Sequence, residues 1–270
     1  MPSPTTPTAT PDNPLLTIDG PVARVLLNAP DRKNAVPLAA WQAIPALLER
    51  VTRDAAVRVC VLRGAGGKSF CAGADISEFE AVRSTPEAAA HYDDANVAAF
   101  KALKAVPVPV IAAIEGPCLG GGLGLALACD LRLATSSAVF AIPAARLGLA
   151  YPPEALGDLL EAVSASEAKK LLFTAARLSA QEALRIGLVN EVVPEGGLDS
   201  RLEALCADLC DNAPLSLKAA KTAINRLVAS SKAGDLDQLL QDARACIDSA
   251  DYREGCRAFL EKRAPKFTGK

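Results

Sequence analysis

The stretch "PVIAAIEGPCLGGGLGLALACDLRLA", residues 109–134, carries the fold in one line. It opens on the apolar, β-branched run Val110–Ile114, breaks at Gly116-Pro117, and passes the glycines Gly120, Gly121 and Gly122 before an apolar stretch that ends at Asp130. The pattern predicts a buried strand, a turn that exposes its backbone, and a buried helix. Amides at the start of a helix have no intrahelical acceptor and point outward, and glycine lets a ligand approach them closely. A second such turn, "SFCAGADI" (69–76), follows the strand-like "VRVCVLRG" (57–64). Two turns side by side aim two N–H groups at one oxygen, the arrangement that stabilises an enolate or tetrahedral oxyanion from a thioester. Tight turns with a purely structural role are the alternative.

Outward from these turns, further strands are predicted at "VARVLLN" (22–28), "DLRLAT" (130–135), "AVFAI" (138–142) and "LVNEVVP" (188–194). Helices are predicted around Ala39–Arg53 and Pro86–Ala105. Alternation of this kind gives stacked ββα or βαβ units around one core. After Pro153 the chain turns mainly helical. Ser164 with Glu167, and Ser179 with Glu182, have capping-box spacing, and Gly187 closes the second helix. Beyond Gly197 the pattern is helix alone, over 198–211, 215–229 and 235–263. The expected organisation is a disordered tail over 1–13, a core over 14–195, and a helical region over 196–270 whose apolar faces call for docking or oligomerisation.

Composition narrows the partners. The 270 residues are 50% hydrophobic with a formal net charge of −2, and no long basic run is present, which argues against nucleic acid. The apolar runs are too short to span a bilayer. No secretory or transit pattern opens the chain, and its eight cysteines lack framework spacing, so reduced thiols and a cytoplasmic location are expected.

Several common chemistries fail on spacing. "RGAGGKSF" lacks a Walker loop's first glycine, because Leu62 stands there. A dinucleotide fingerprint starting at Gly120 needs glycine where Leu125 stands. The one histidine, His91, lies in a polar helical stretch, no G-x-S-x-G is present, and no C-x-x-C pair supports a metal. No resident metal is expected.

The segments "RKNAV" (32–36), "FCAGADI" (70–76), the stretch quoted first, "FAIPAARLGL" (140–149), "LLFTAARLSAQEALRIGLVNEVVP" (171–194) and "REGCRAFLEKRAPKF" (253–267) together resemble the crotonase superfamily, the enoyl-CoA hydratase/isomerase family. The resemblance implies an α/β fold: a ββα spiral core followed by a C-terminal helical trimerisation region, assembled as a homotrimer or a dimer of trimers. It implies an acyl-CoA thioester as substrate, so CoA is part of the substrate and no separate cofactor is expected. It places the oxyanion hole on the amides of Ala74 and Gly121. It assigns the CoA nucleotide to Lys33, Asn34 and Ala35 and to Lys262 of a neighbouring subunit, and the substrate surround to Ala72, Asp75, Ile76 and Gly120. Read from the residues, Asp75 caps the next helix.

The chain also departs from that family. The resemblance puts two catalytic glutamates at positions 124 and 144, where this sequence has Gly124 and Ala144, and the extra acid of dienoyl isomerases at Pro152. Water addition needs a base and an acid, each contributing about 10²–10⁴ in rate. Glu154 is a candidate displaced carboxylate, with a helix N-terminus as its other reading. Tyr151 is a candidate hydroxyl donor or a lining residue. Cys71 and Cys118 flank the two turns, but a thiol without a neighbouring base is inert. The expected activity is therefore thioester enolate chemistry with weak or absent hydration. The alternatives are a different reaction on the same scaffold (thioester hydrolysis, decarboxylation, a lyase step) or a non-catalytic acyl-CoA binder.

Overall fold

A computed structural model describes residues 12–147, 149–229, 249–251, 254, 258, 261–263 and 265–270. The expected tail lies outside the described residues except for Asp12 and Asn13, as does most of the helix expected over 235–263.

The chain begins with an antiparallel pair, β1 (Leu15–Asp19) and β2 (Val22–Leu27), joined through Gly20. Strict alternation turns Ala23, Val25 and Leu27 of β2 into the core. The sequence reading missed β1, together with the short strands at 117–119 and 178–179. The strands β3 (Val59–Gly64), β4 (Val110–Ile114), β5 (Pro117–Leu119), β6 (Leu131–Thr135), β7 (Val139–Ala141), β8 (Leu178–Ser179) and β9 (Glu191–Val193) follow. They form one sheet in the order β1-β2-β3-β4-β6-β9, parallel after its first pair, and a small one in the order β5-β7-β8. Every residue of β4 is buried, as a central parallel strand covered on both faces requires.

Helices cover those faces: α1 (Leu38–Arg53), α2 (Phe79–Val82), α3 (Pro86–Ala105), α4 (Gly121–Leu127), α5 (Pro153–Ala162), α6 (Ala165–Thr174), α7 (Ala180–Arg185), α8 (Leu198–Asp211) and α9 (Pro214–Ala229). One face of the sheet presents Cys60, Leu62, Ala112 and Ile114 to a core shared with Trp41, Ile44 and Leu48 of α1 and Phe100 and Leu103 of α3. The reverse face presents Val59, Val61, Ile111 and Leu133 to Leu198, Leu202 and Cys206 of α8. The first helix beyond residue 196 thus closes the second face of the core sheet rather than standing apart from it. Strands that are apolar on both sides demand that cover.

Both capping predictions fall on real helix starts. Ser164 accepts from the Glu167 amide, while Ser179 and Glu182 complete the reciprocal box. Gly187, at φ 84°, ends α7 in a Schellman turn, with the Leu188 amide on the Ala183 carbonyl and the Gly187 amide on the Leu184 carbonyl.

Asn34, expected against CoA, has its carboxamide turned inward instead. It is 1% exposed; Oδ1 accepts from the Ala29 amide at 3.0 Å, and Nδ2 donates to the carbonyls of Ala65 at 3.0 Å and Ser69 at 2.7 Å. Its φ of 55° also suits asparagine better than most residues. Asn34→Ala is expected to lower stability by about 1–3 kcal/mol, because it strands buried backbone groups. Urea unfolding checks this, and a smaller loss would mean that the loop repacks.

Candidate active site

The two glycine turns meet through a short parallel pairing. The Cys71 amide donates to the Pro117 carbonyl at 3.0 Å, and the Leu119 amide donates to the Cys71 carbonyl at 2.9 Å. A β-carbon built on Gly73, whose φ is 103°, would lie 3.0 Å from the Leu119 carbonyl oxygen and 3.6 Å from the Gly121 nitrogen. Only glycine fits that crossing. Beyond it, Ala74 forms a parallel bridge with Val36, whose amide donates to the Gly73 carbonyl at 2.8 Å and whose carbonyl accepts from the Asp75 amide at 3.1 Å. In this ladder the amide of Ala74 itself faces the other way. Gly120, at φ 50°, precedes α4, and Gly121 is the first residue of the helix, so its amide is one of the orphan donors. Neither amide has an acceptor among the described residues, and both Ala74 and Gly121 border one cavity of about 110 Å³.

Ala72, Ile76 and Gly120 border the same cavity. Asp75 caps the 3-10 turn Ile76–Glu78, accepting from the Ser77 amide at 3.1 Å and its hydroxyl at 2.6 Å, and it pairs with Arg32. The loop of Lys33 and Ala35 sits beside the cavity, because the Lys33 carbonyl accepts from the Ala72 amide at 2.9 Å; the Lys33 side chain is exposed. Lys262 is exposed on the C-terminal segment and is not among the residues that line the cavity.

Ala144, Tyr151 and Pro152 form another wall. Position 124 is filled rather than empty. A β-carbon on Gly124 would lie 2.7 Å from Phe100 Cζ and 3.1 Å from the Tyr151 hydroxyl. That hydroxyl donates to the Gly120 carbonyl at 3.2 Å, and burial pushes its pKa up, so the phenol stays neutral. The expectation of a displaced carboxylate at Glu154 is corrected: the side chain is exposed in the first turn of α5 and does not line the cavity. Negative charge is favoured at that helix position in any case. Cys71 and Cys118 are fully buried, and burial raises both thiols, Cys71 to about 12, so neither supplies a thiolate.

The sequence reading missed the wall made by α2 and α3. Arg83 grips Asp93 with both terminal nitrogens, at 2.6 and 3.3 Å, and its guanidinium stacks over Phe79 and Tyr92 at 5.3 and 5.1 Å. Asp93 is the only carboxylate among the described residues of the lining. Asn96, one turn further along α3, lies beside Gly121. The available signal was helical spacing: Asp93, Asn96 and Phe100 share a stripe of a helix whose neighbours Ala99 and Leu103 are core residues.

Residues 17–270 match the enoyl-CoA hydratase/isomerase family. The short-chain-enoyl-CoA hydratase of Clostridium acetobutylicum is 35% identical over 256 residues, spanning 93% of this chain and 96% of its own. The crotonyl-CoA hydratase of Syntrophomonas wolfei is 33% identical over 263 residues, spanning 96% and 99%. A crystal structure of an enoyl-CoA hydratase/carnithine racemase from Magnetospirillum magneticum superposes with a TM-score of 0.92 at 36% identity, covering 96% of each chain. Parallel-sheet core, paired glycine turns and C-terminal helices define a crotonase-type fold. The chain belongs to the enoyl-CoA hydratase/isomerase family.

Because Phe100 and Tyr151 occupy the space beside Gly124, a glutamate cannot simply be restored there. Gly124→Glu is expected to destabilise by about 1–3 kcal/mol through overpacking and to add no hydration. Thermal melts and a crotonyl-CoA assay check both halves.

Proposed function

We propose that the cavity binds an acyl-CoA thioester with its carbonyl oxygen between the amides of Ala74 and Gly121, and that these donors stabilise the enolate formed there. Negative charge grows on that oxygen as the α-carbon loses or gains a proton, and one such donor is worth about 10²–10³ in rate. The observation that carries the reading is that two amides without acceptors, on turns paired through Cys71 and Cys118, open onto one cavity. Two-glutamate hydration does not fit it. Position 124 is filled by Phe100 and Tyr151, and position 144 carries a methyl group.

Proton handling falls to Asp93. It is the carboxylate on the described lining, held in place by Arg83, and Tyr151 contributes a neutral hydroxyl. Self-association as a trimer or dimer of trimers belongs to the same proposal, supported by the exposed apolar residues Ile224, Leu227 and Val228 of α9. Lys262 would then serve a neighbouring subunit's CoA. Among the described residues no helix is long and apolar enough to cross a membrane, and no group of His, Cys, Asp or Glu could hold a metal ion.

The test is a panel of acyl-CoA thioesters incubated with purified protein and followed by mass, with binding measured in parallel. Hydration of crotonyl-CoA is expected to fall about 10²–10⁴ below that of a two-glutamate relative, while at least one thioester is turned over. Asp93→Asn is expected to cut kcat on that thioester by about 10²-fold or more and to leave its Kd unchanged. Tight binding without turnover of any thioester would favour the non-catalytic binder, and failure to bind CoA thioesters would overturn the reading altogether.

A further inference from the structure

Asn96 is more than nine-tenths buried, with 8% of its surface exposed, yet only half of its carboxamide is used. Nδ2 donates to the Tyr92 carbonyl one turn back, at 2.8 Å. That bond fixes the orientation of the amide, since exchanging the two ends would set oxygen against oxygen. Oδ1 is therefore the atom that faces the cavity, 3.7 Å from where a β-carbon on Gly121 would stand. No donor among the described residues reaches it, and the neighbouring side-chain donors are committed. The Trp41 indole N–H goes to the Tyr92 hydroxyl at 3.1 Å, the Tyr151 hydroxyl to the Gly120 carbonyl at 3.2 Å, and the terminal nitrogens of Arg83 to Asp93. A carbonyl oxygen accepts and cannot donate, so the site asks its ligand for a hydrogen.

We infer that Asn96 selects acyl thioesters that carry a hydroxyl close to the thioester carbonyl. This rests on the thioester reading of the cavity, which puts the carbonyl oxygen at the Gly121 amide, beside the Asn96 acceptor. A plain acyl chain closing over Oδ1 strips it of water and returns nothing, whereas a hydroxyl on the chain satisfies it. The difference amounts to about five- to tenfold in affinity, the worth of one buried hydrogen bond. Asn96 is then a specificity-determining residue, with its acceptor end aimed by its own helix.

Equilibrium binding of butyryl-CoA, 2-hydroxybutyryl-CoA and 3-hydroxybutyryl-CoA tests this. One hydroxylated ligand is expected to bind wild-type protein about five- to tenfold more tightly than butyryl-CoA. Asn96→Ala is expected to abolish that preference, in part by tightening butyryl-CoA binding, because no acceptor is then stripped of water beneath the plain chain. Should Asn96→Ala not fold, Asn96→Leu removes the acceptor at similar side-chain volume. Equal affinities in the wild type would mean that a trapped water satisfies Oδ1 under every chain, and would overturn the inference. So would a preference that survives Asn96→Ala. If none of the three ligands binds, the thioester reading itself fails, an outcome distinct from equal binding.

Discussion

The site depends on one small piece of parallel pairing, two hydrogen bonds between Cys71 and the Pro117–Leu119 segment. It fastens two loops that leave β3 and β4 forty residues and more apart in sequence, and it sets the Ala74 and Gly121 amides on one cavity. The pairing is possible because of what is missing beside it. A β-carbon on Gly122 would lie 2.6 Å from Cys71 Cβ, so the helix can start against that strand only without a side chain. The triple glycine is thus three separate requirements: a left-handed turn at Gly120, an open amide at Gly121 and a packing contact at Gly122. Cys71 belongs to the same contact, as a small apolar group whose thiol burial holds in the protonated form.

Gly124 has a different explanation from its neighbours. Nothing in its backbone demands glycine, because it sits inside α4 with helical hydrogen bonding on both sides. A side chain there is excluded by Phe100 from α3 and by the Tyr151 hydroxyl, so the bare glycine and the phenol are two sides of one packing solution. A buried carboxylate needs partners, whereas a neutral phenol needs one acceptor and has it in the Gly120 carbonyl.

What the sequence made legible follows the strength of local signals. β2 and β4 show through alternation and a continuous apolar run, α1 and α3 through helical period, and the paired turns through glycine after strand. β1 escaped because "LLTID" lies on a sheet edge with Thr17, Ile18 and Asp19 exposed, which breaks the burial alternation that marks an inner strand. Glu154 was misplaced because "YPPEA" reads equally as a cavity turn and as a helix start, and only the tertiary path separates them. Asp93 and Asn96 escaped for a related reason. On a helix facing solvent along one side, a polar residue at core spacing looks like surface until the opposite wall is known. α8 looked like an appendage because its partner, the reverse face of β3, β4 and β6, lies far back in the chain.

The polar wall and the turn carrying Ala74 are also held in register with each other, through a single backbone carbonyl. Val36 oxygen accepts the Asp75 amide at 3.1 Å, which fixes the turn carrying Ala74, and it accepts the Tyr92 hydroxyl at 3.3 Å, which fixes α3. Tyr92 in turn takes the Trp41 indole N–H, so α1 braces the same point. Asp93 follows Tyr92 directly, and Asn96 bonds back to the Tyr92 carbonyl. A rotation of α3 that moved either polar group relative to the Ala74 and Gly121 amides would have to break the bond at Val36 first. Asp93, Asn96 and the open amides of Ala74 and Gly121 thus sit on elements that share one anchor, and the cavity they line is preorganised as a unit.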